Sequence, residues 1–205
     1  MFWRICDLMT AAAVLKPELA PGEQDVLDRA TDAALHLLTE RPWRDITLRD
    51  LAMAADVPFA DLYMAASNMG AVADHIARRI DAAAMGAAGD PSPDVGDRLF
   101  EVIMARLEAM APYRTALISI LDDEGPFAPR RGVRLAAAAR AMLEGAGVDT
   151  RGRRGAVRVL AMITVWARVV TVWRDDEGAL NRTMAEIDKL LKQMRKRLNQ
   201  VGAGF

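Results

Sequence analysis

Apolar and polar residues alternate along most of this chain with the three- and four-residue spacing of amphipathic α-helices. Runs of β-branched residues are short, and alanine, leucine, methionine and arginine dominate. The pattern predicts an all-α protein of about nine helices without a β-strand. In the first predicted helix, residues 24–40, one face collects Val26, Ala30, Ala33, Ala34, Leu37 and Leu38.

Helix boundaries are predicted from proline, glycine and capping residues. Pro21-Gly22 ends an N-terminal arm, and Arg41-Pro42 ends the first helix. Thr47 is the expected N-cap of a short helix over Leu48–Ala55, and Pro58 begins a second short helix after a tight turn. The other predicted helices cover residues 71–85, 95–110, 113–121, 131–145, 151–174 and 179–200.

The chain divides into an arm, a small N-terminal unit and a larger body. The stretch from Gly86 to Pro93 is rich in glycine, proline and aspartate and separates the last two. We expect an arm over residues 1–22, a helix-turn-helix unit over 23–86, and a helical bundle over 94–205. The separating stretch is short, so the unit and the bundle should pack together.

Composition excludes several classes of protein. The chain of 205 residues is 52% hydrophobic with a net charge of −1, so it can bury a sizeable core. Cys6 is the single cysteine, which excludes a disulfide framework. His36 and His75 are isolated in sequence, so we expect surface or boundary positions and no metal site. Catalytic and cofactor motifs are missing from the sequence, which predicts neither an enzyme nor a cofactor.

Two apolar stretches bear on localisation. The opening residues 1–14 are interrupted by Arg4 and Asp7, which argues against a signal peptide. Residues 157–173 approach the length that spans a bilayer, but Arg158 and Arg168 lie among them and charges are costly in lipid. A buried helix and a cytoplasmic protein are therefore expected.

The N-terminal unit resembles the DNA-binding domain of TetR-type transcriptional regulators. The resemblance runs from about Asp25 to Ile80 and rests on a helix, an aromatic turn and two short helices in that order. It implies a homodimer that inserts its recognition helices into the major groove and responds to a hydrophobic ligand in the bundle. The matching residues are Ala33, Leu37, Leu38, Trp43, Ile46, Thr47, Leu51, Ala52, Ala55, Val57, Leu62 and Tyr63.

The sequence departs from the family pattern where the recognition helix meets the next helix. Residues Met64 to Gly70 replace the segment that usually carries a phosphate-contacting lysine, and Asp56 replaces the usual glycine of the turn. Between Asp25 and Asp81, ten acidic residues exceed six arginines by four, an unfavourable balance for a DNA-binding surface. The candidate DNA-binding residues are Arg44, Thr47, Arg49, Tyr63 and Asn68.

The final segment is similar to the ubiquinone-biosynthesis lipid-binding proteins, which share the TetR-like fold. The similarity lies in residues 172–177, a tryptophan followed by an acidic turn, and in residues 183–188. It implies an alternative function, that of a lipid- or isoprenoid-binding accessory protein that does not bind DNA. In that alternative the basic C-terminal helix contacts a membrane surface.

Apolar residues of the bundle are candidates for a ligand pocket. Trp166 and Trp173 stand seven residues apart on one predicted helix, and methionine adapts to flexible ligands. Arg168 is the candidate polar residue, either for a ligand or for an ion pair with Asp122 or Asp123. The alternative is that these side chains pack in the core and bind no ligand. The candidate pocket residues are Met104, Leu107, Tyr113, Leu117, Leu121, Met162, Trp166, Arg168 and Trp173.

The last predicted helix is amphipathic. Its apolar residues repeat at alternating spacings of four and three, and its basic residues fall largely on other faces. We expect this seam to form a dimer interface with a second copy, and an anionic membrane surface is the alternative partner. The candidate interface residues are Leu180, Met184, Ile187, Leu191, Met194 and Leu198.

Overall fold

A computed structural model describes residues 21–87, 92–125, 129–176 and 180–205. These residues form nine α-helices and contain no β-strand, which confirms the predicted fold class. Most of the predicted arm, including Cys6, lies outside the described residues. Pro21 and Gly22, expected to close the arm, instead belong to the first helix.

The helices agree with the predicted segments and differ from them by only a few residues at their ends. Short 3-10 segments over Trp43–Asp45 and Ala111–Tyr113 precede α2 and α6. The helices are α1 (Pro21–Leu37), α2 (Leu48–Ala54), α3 (Phe59–Ala65), α4 (Met69–Ala87), α5 (Val95–Met110), α6 (Arg114–Glu124), α7 (Pro129–Gly145), α8 (Gly152–Asp175) and α9 (Asn181–Gln200).

The helix-turn-helix unit is built from α1, α2 and α3. Thr47 begins α2 with a capping box, in which its Oγ1 accepts the Asp50 N–H at 3.2 Å and the Asp50 carboxylate accepts the Thr47 N–H at 2.8 Å. Leu51 of α2 and Leu62 of α3 are fully buried in the core shared with α1. These two leucines fix the short helices against the long one.

The bundle continues this core without a break. α4 packs against α5 and α7, and α8 packs against α7 and α9. α8 is long and apolar enough to cross a membrane by length and composition alone, but its Met162, Trp166 and Trp173 are buried in the protein core. It is therefore a core helix of the bundle, as the sequence predicts.

Two buried polar contacts join neighbouring elements. His75 of α4 is buried and its Nε2 lies 2.6 Å from an Asp28 oxygen of α1, so its predicted surface or boundary position is wrong. The reason is that α1 covers this face of α4. Between α8 and α9, the Asp176 carboxylate accepts the N–H and hydroxyl of buried Thr183 at 2.9 and 2.8 Å.

Candidate functional site

The outer face of the helix-turn-helix unit is formed by α2, α3 and the turn between them. Asp56 takes a left-handed conformation, with φ of 51°, which aspartate tolerates better than most residues. Arg29 of α1 donates from Nη2 to the carbonyls of Ala55 and Asp56, the second at 2.8 Å. Arg29 therefore holds this turn against α1. The turn has Asp56 at the position where the family pattern has a glycine.

An aromatic and cationic group occupies this outer face. The Arg49 guanidinium lies 5.3 Å from the centroid of the Phe59 ring, and that ring lies 6.2 Å from the ring of Tyr63. Phe59 and Tyr63 are 41% and 52% exposed. Arg49 and Tyr63 were predicted at the site, whereas Phe59 was missed, although an aromatic residue at the start of a recognition helix was a visible signal.

Two other candidate residues serve as helix caps. The Thr47 hydroxyl donates to Asp50 at 2.7 Å, and together with the Thr47 N–H it holds the pKa of Asp50 below its usual value. Asn68 Oδ1 accepts the Ala71 N–H at 3.0 Å in the first turn of α4. Arg49 and Tyr63 are the predicted residues that remain available to a partner, and the 68% exposed side chain of Arg44 also binds Asp123.

Arg44 attaches the unit to the bundle. Its backbone N–H donates to Asp123 Oδ2 at 2.9 Å, and its guanidinium donates to Asp123 Oδ1 at 3.0 Å. Beside it, the Trp43 N–H donates to Ser119 Oγ at 3.1 Å. Ser119 and Asp123 both belong to α6, so this one helix carries the attachment.

The charge of the outer face is unfavourable for an anionic partner. Four exposed or half-exposed aspartates accompany Arg44 and Arg49 across this region. The aspartates are Asp45, Asp50, Asp56 and Asp61. Acidic residues therefore outnumber basic ones on this face, as the sequence indicates. Few cations are available there to bind phosphate.

A cavity of about 110 Å³ lies between α4, α5, α6, α7 and α8. Leu117, Leu121 and Trp166, three of the predicted pocket residues, line it. Its apolar wall consists of Ala73, Ile76, Ala77, Ile80, Met110, Leu117, Ile120, Leu121, Leu135, Ala138, Trp166, Ala167 and Val170.

The other predicted pocket residues lie elsewhere. Seven residues along α8 are about 10 Å, so only one of the two tryptophans reaches the cavity. Tyr113 is exposed and lines a separate recess. Core positions are occupied by Leu107, Met162 and Trp173, with Met104 half-buried against the core.

Arg168 is exposed and its Nε donates to Glu186 of α9 at 3.3 Å. The sequence allowed an ion pair with Asp122 or Asp123, and this is wrong. Asp122 pairs with Arg174 at 2.6 Å, and Asp123 pairs with Arg44. These acids stand at the C-terminal end of α6, where each one binds an arginine from a different element.

Three arginines, Arg106, Arg131 and Arg134, also line the cavity. Arg106 is 5% exposed, contacts the Asp81 carboxylate and stacks on the Trp166 ring at 4.9 Å. Its Nε is buried and has no hydrogen-bond acceptor among the described residues. Burial lowers the pKa of Arg106 to about 10.

The other two arginines of the lining belong to α7. Arg131 donates to the carbonyls of Leu121 and Gly125 at 3.3 and 3.2 Å. Arg134 binds Asp74 at 2.9 Å and also contacts Glu124, which lines the cavity as well. All three arginines are absent from the predicted pocket residues, although Arg106 stands on the apolar face of α5, and a charge among core positions is a signal.

The predicted dimer seam of α9 faces the interior of the subunit. Ile187, Leu191, Met194 and Leu198 are buried against α8 and α5, so their assignment to a dimer interface is wrong. Met184 is 40% exposed, and Leu180 is half-buried against the core. The amphipathic pattern was correct, but a sequence cannot distinguish a helix that covers its own core from one that meets a second copy.

Metal-binding groups are not found in the part of the chain that the structure describes. No three histidine, cysteine, aspartate or glutamate side chains in those ranges cluster in a way that could hold an ion.

Similarity to known proteins is confined to solved structures. No protein-family model matches the chain, and no curated protein sequence matches it. The chain is similar to a TetR transcriptional regulator from Rhodococcus sp. RHA1, at 14% identity and a TM-score of 0.66, over 83% of this chain and 96% of that one. A TetR-family regulator from Streptomyces coelicolor is 22% identical, with a TM-score of 0.46, over 85% and 98% of the two chains. The Rhodococcus structure shows that this chain has the TetR-type fold.

Proposed function

We propose that this protein is a cytoplasmic, non-enzymatic transcriptional regulator that binds operator DNA through α2 and α3 as a homodimer. The observation that carries the proposal is the helix-turn-helix of α2 and α3, held rigidly on α1, in a chain with the fold of a TetR regulator. DNA binding comes from this unit, and control comes from the cavity.

The proposed DNA contacts are few. Arg44 and Arg49 supply the cations, and Tyr63 supplies an exposed hydroxyl on the recognition helix. Thr47 and Asn68 contribute by capping the helices that carry the surface. With two arginines from each of two subunits, log affinity should fall with log salt with a slope between about −3 and −4.

We propose that a hydrophobic ligand in the cavity controls the DNA-binding unit through α6. Leu117, Ile120 and Leu121 line the cavity, while Ser119 and Asp123 bind the unit from another face of the same helix. A ligand that prefers a different position of α6 therefore changes the position of Trp43 and Arg44. The cavity and the DNA-binding surface are coupled only if the ligand binds one position of α6 more tightly than another.

Because the apolar seam of α9 is buried, we propose instead that the dimer contact lies on the exposed side of α8. Leu160 is 64% exposed, and Val157 and Thr164 lie one turn away on either side of it. The residues that the structure describes leave this stripe exposed. Its position beside α9 keeps the last two helices as the proposed dimer region.

The alternative lipid-binding accessory function has less support. The apolar seam of α9 is buried, so this helix has no exposed apolar face to contact a membrane. Several of its basic residues also pair within the protein, as Lys189 does with Glu186 and Arg195 with Asp94.

The test is binding to fluorescent fragments of the protein's own genome, with wild type compared to Arg49→Ala combined with Tyr63→Phe. We expect wild type to bind a subset of fragments saturably and the variant to bind them at least about tenfold more weakly. Arg140→Ala is the matched control, because Arg140 is an exposed arginine of α7 outside the DNA-binding unit. Equal binding by all three proteins contradicts the proposed surface.

A further inference from the structure

We propose that α3 recognises thymine and cytosine in the operator, with Ala60 and Met64 against thymine methyl groups and Asp61 on a cytosine amino group. The proposal rests on the proposed function, in which α3 enters the major groove, and it adds the bases that α3 reads. It is supported by the residue types that α3 lacks, by the exposed apolar face of α3 and by a carboxylate that stands beside this face.

The seven residues of α3 include no side chain of the types that most often recognise a purine. Arginine and lysine bind guanine O6 and N7, and asparagine and glutamine bind adenine N6 and N7. None of these four residue types occurs in α3, whose sequence is Phe-Ala-Asp-Leu-Tyr-Met-Ala. Arg49 belongs to α2, and its guanidinium lies 5.3 Å from the centroid of the Phe59 ring. The exposed side chains of α3 are therefore limited to apolar groups, a tyrosine hydroxyl and one carboxylate.

The outward face of α3 is apolar at its centre. Leu62 is fully buried in the core, and the helical repeat places Ala60 and Met64, two residues before and after it, on the opposite side of α3. Both are exposed, and Met64 is 75% exposed. The apolar group that a base presents in the major groove is the C5-methyl of thymine. Because contact with this methyl group removes apolar surface from water, Ala60 and Met64 favour thymine at the positions they meet.

Asp61 stands beside this apolar face, three residues before Met64 and therefore one helical turn from it. It is exposed, and no hydrogen bond or ion pair of the described residues engages its carboxylate. In the major groove a carboxylate accepts a hydrogen bond from cytosine N4, whereas guanine O6 and N7 are acceptors that repel it. An acid that is unfavourable near phosphate thus favours a particular base.

The first experiment replaces each thymine of a bound genomic fragment by deoxyuridine, one position at a time, which removes only the C5-methyl group. Burying one methyl group changes affinity about fourfold. We therefore expect binding to weaken about sixteenfold when the contacted thymine is replaced in both half-sites. Fluorescence anisotropy at constant salt measures the affinities. A fragment that is bound equally well after every replacement overturns the thymine contacts.

Met64→Ala links a thymine methyl group to its contact. At one position, a replacement that weakens wild-type binding about fourfold should change the affinity of this variant by less than about twofold. Met53→Ala is the matched control, because Met53 is a 70% exposed methionine of α2. This control should keep the full effect of every replacement. If every thymine effect persists unchanged in Met64→Ala, the contact between Met64 and a methyl group is wrong.

Asp61→Asn tests the cytosine contact by comparing the bound fragment with an unrelated fragment of the same length. The variant should reduce the ratio of the two affinities at least about tenfold, because it removes the charged acceptor of a base contact. Asp45→Asn is the matched control, since Asp45 is an exposed aspartate of the same face that lies before α2. It should change both affinities by the same factor. An equal gain for both fragments in Asp61→Asn shows that this carboxylate only repels phosphate, and it overturns the cytosine contact.

The outcomes separate this proposal from the proposed function. A protein that binds a subset of fragments, but is insensitive to deoxyuridine and keeps its selectivity in Asp61→Asn, is a regulator that reads other features of its operator. A protein that binds no fragment contradicts both the regulator function and the base contacts.

Discussion

Replacing Asp123 by alanine tests the attachment of the helix-turn-helix unit to α6. Asp123 is 9% exposed at its side chain and accepts two hydrogen bonds from Arg44, one from the backbone and one from the guanidinium. The backbone bond to a charged acceptor contributes about 1.5 kcal/mol. The guanidinium bond contributes below about 1 kcal/mol, because the Arg44 side chain is 68% exposed.

We therefore expect Asp123→Ala to lower the free energy of unfolding by about 2 kcal/mol, and the thermal midpoint by about 4–8 °C in a chain of this length. Arg44→Ala removes only the guanidinium bond and should cost below about 1 kcal/mol. A double-mutant cycle of the two variants isolates the guanidinium bond, and the remainder belongs to the backbone N–H. Urea unfolding followed by circular dichroism measures all four proteins.

Asp122→Ala is the matched control, because Asp122 is the adjacent acid of α6 and forms an exposed ion pair with Arg174 at 2.6 Å. It should cost below about 1 kcal/mol. If Asp123→Ala is no more destabilising than Asp122→Ala, the backbone bond to Arg44 does not hold the unit on α6. That result would also contradict the proposal that α6 transmits ligand binding from the cavity to the DNA-binding surface through Asp123.

The remaining predictions address the buried seam, the dimer and the response to acid. Ile187→Ala should lower the free energy of unfolding by about 2–5 kcal/mol in urea titrations, and Met184→Ala by less than about 0.5, because only the first side chain is buried. Leu160→Glu should convert a dimer to a folded monomer in light scattering, and a dimer that persists contradicts the α8 interface. The hydroxyl and N–H of Thr183 hold the pKa of Asp176 below its ordinary value of 3.8, so its stabilisation is present above that value and is lost as the pH falls below it. Asp176→Asn should therefore show a smaller fall in thermal midpoint below about pH 4 than wild type, and an identical fall contradicts this role for Asp176.

The fold could be predicted from local signals because each helix has its own start, stop and apolar face. Thr47 caps α2 as its sequence position indicates, and α5 covers Val95–Met110 as predicted. The TetR-type layout followed from residues that lie close together in sequence, such as Leu51 and Leu62, which meet in the core. Local periodicity was sufficient for this level of structure.

The cavity could not be predicted in the same way, because its wall comes from five helices. Leu117, Leu121 and Trp166 were found because they are large and apolar, yet the same reasoning included Met162 and Trp173, which fill the core. Arg106 and Arg131 approach the cavity only after α5, α6 and α7 are packed. Which apolar face is covered by the chain itself, as for Ile187, is likewise decided by tertiary packing.

The central claim, that this protein is a DNA-binding regulator, is tested most directly by the salt dependence of its binding to fragments of its own genome. We expect saturable binding to a subset of fragments, with a slope of log affinity against log salt between about −3 and −4. Binding without sequence preference, or no binding at low salt, contradicts the claim that α2 and α3 recognise an operator.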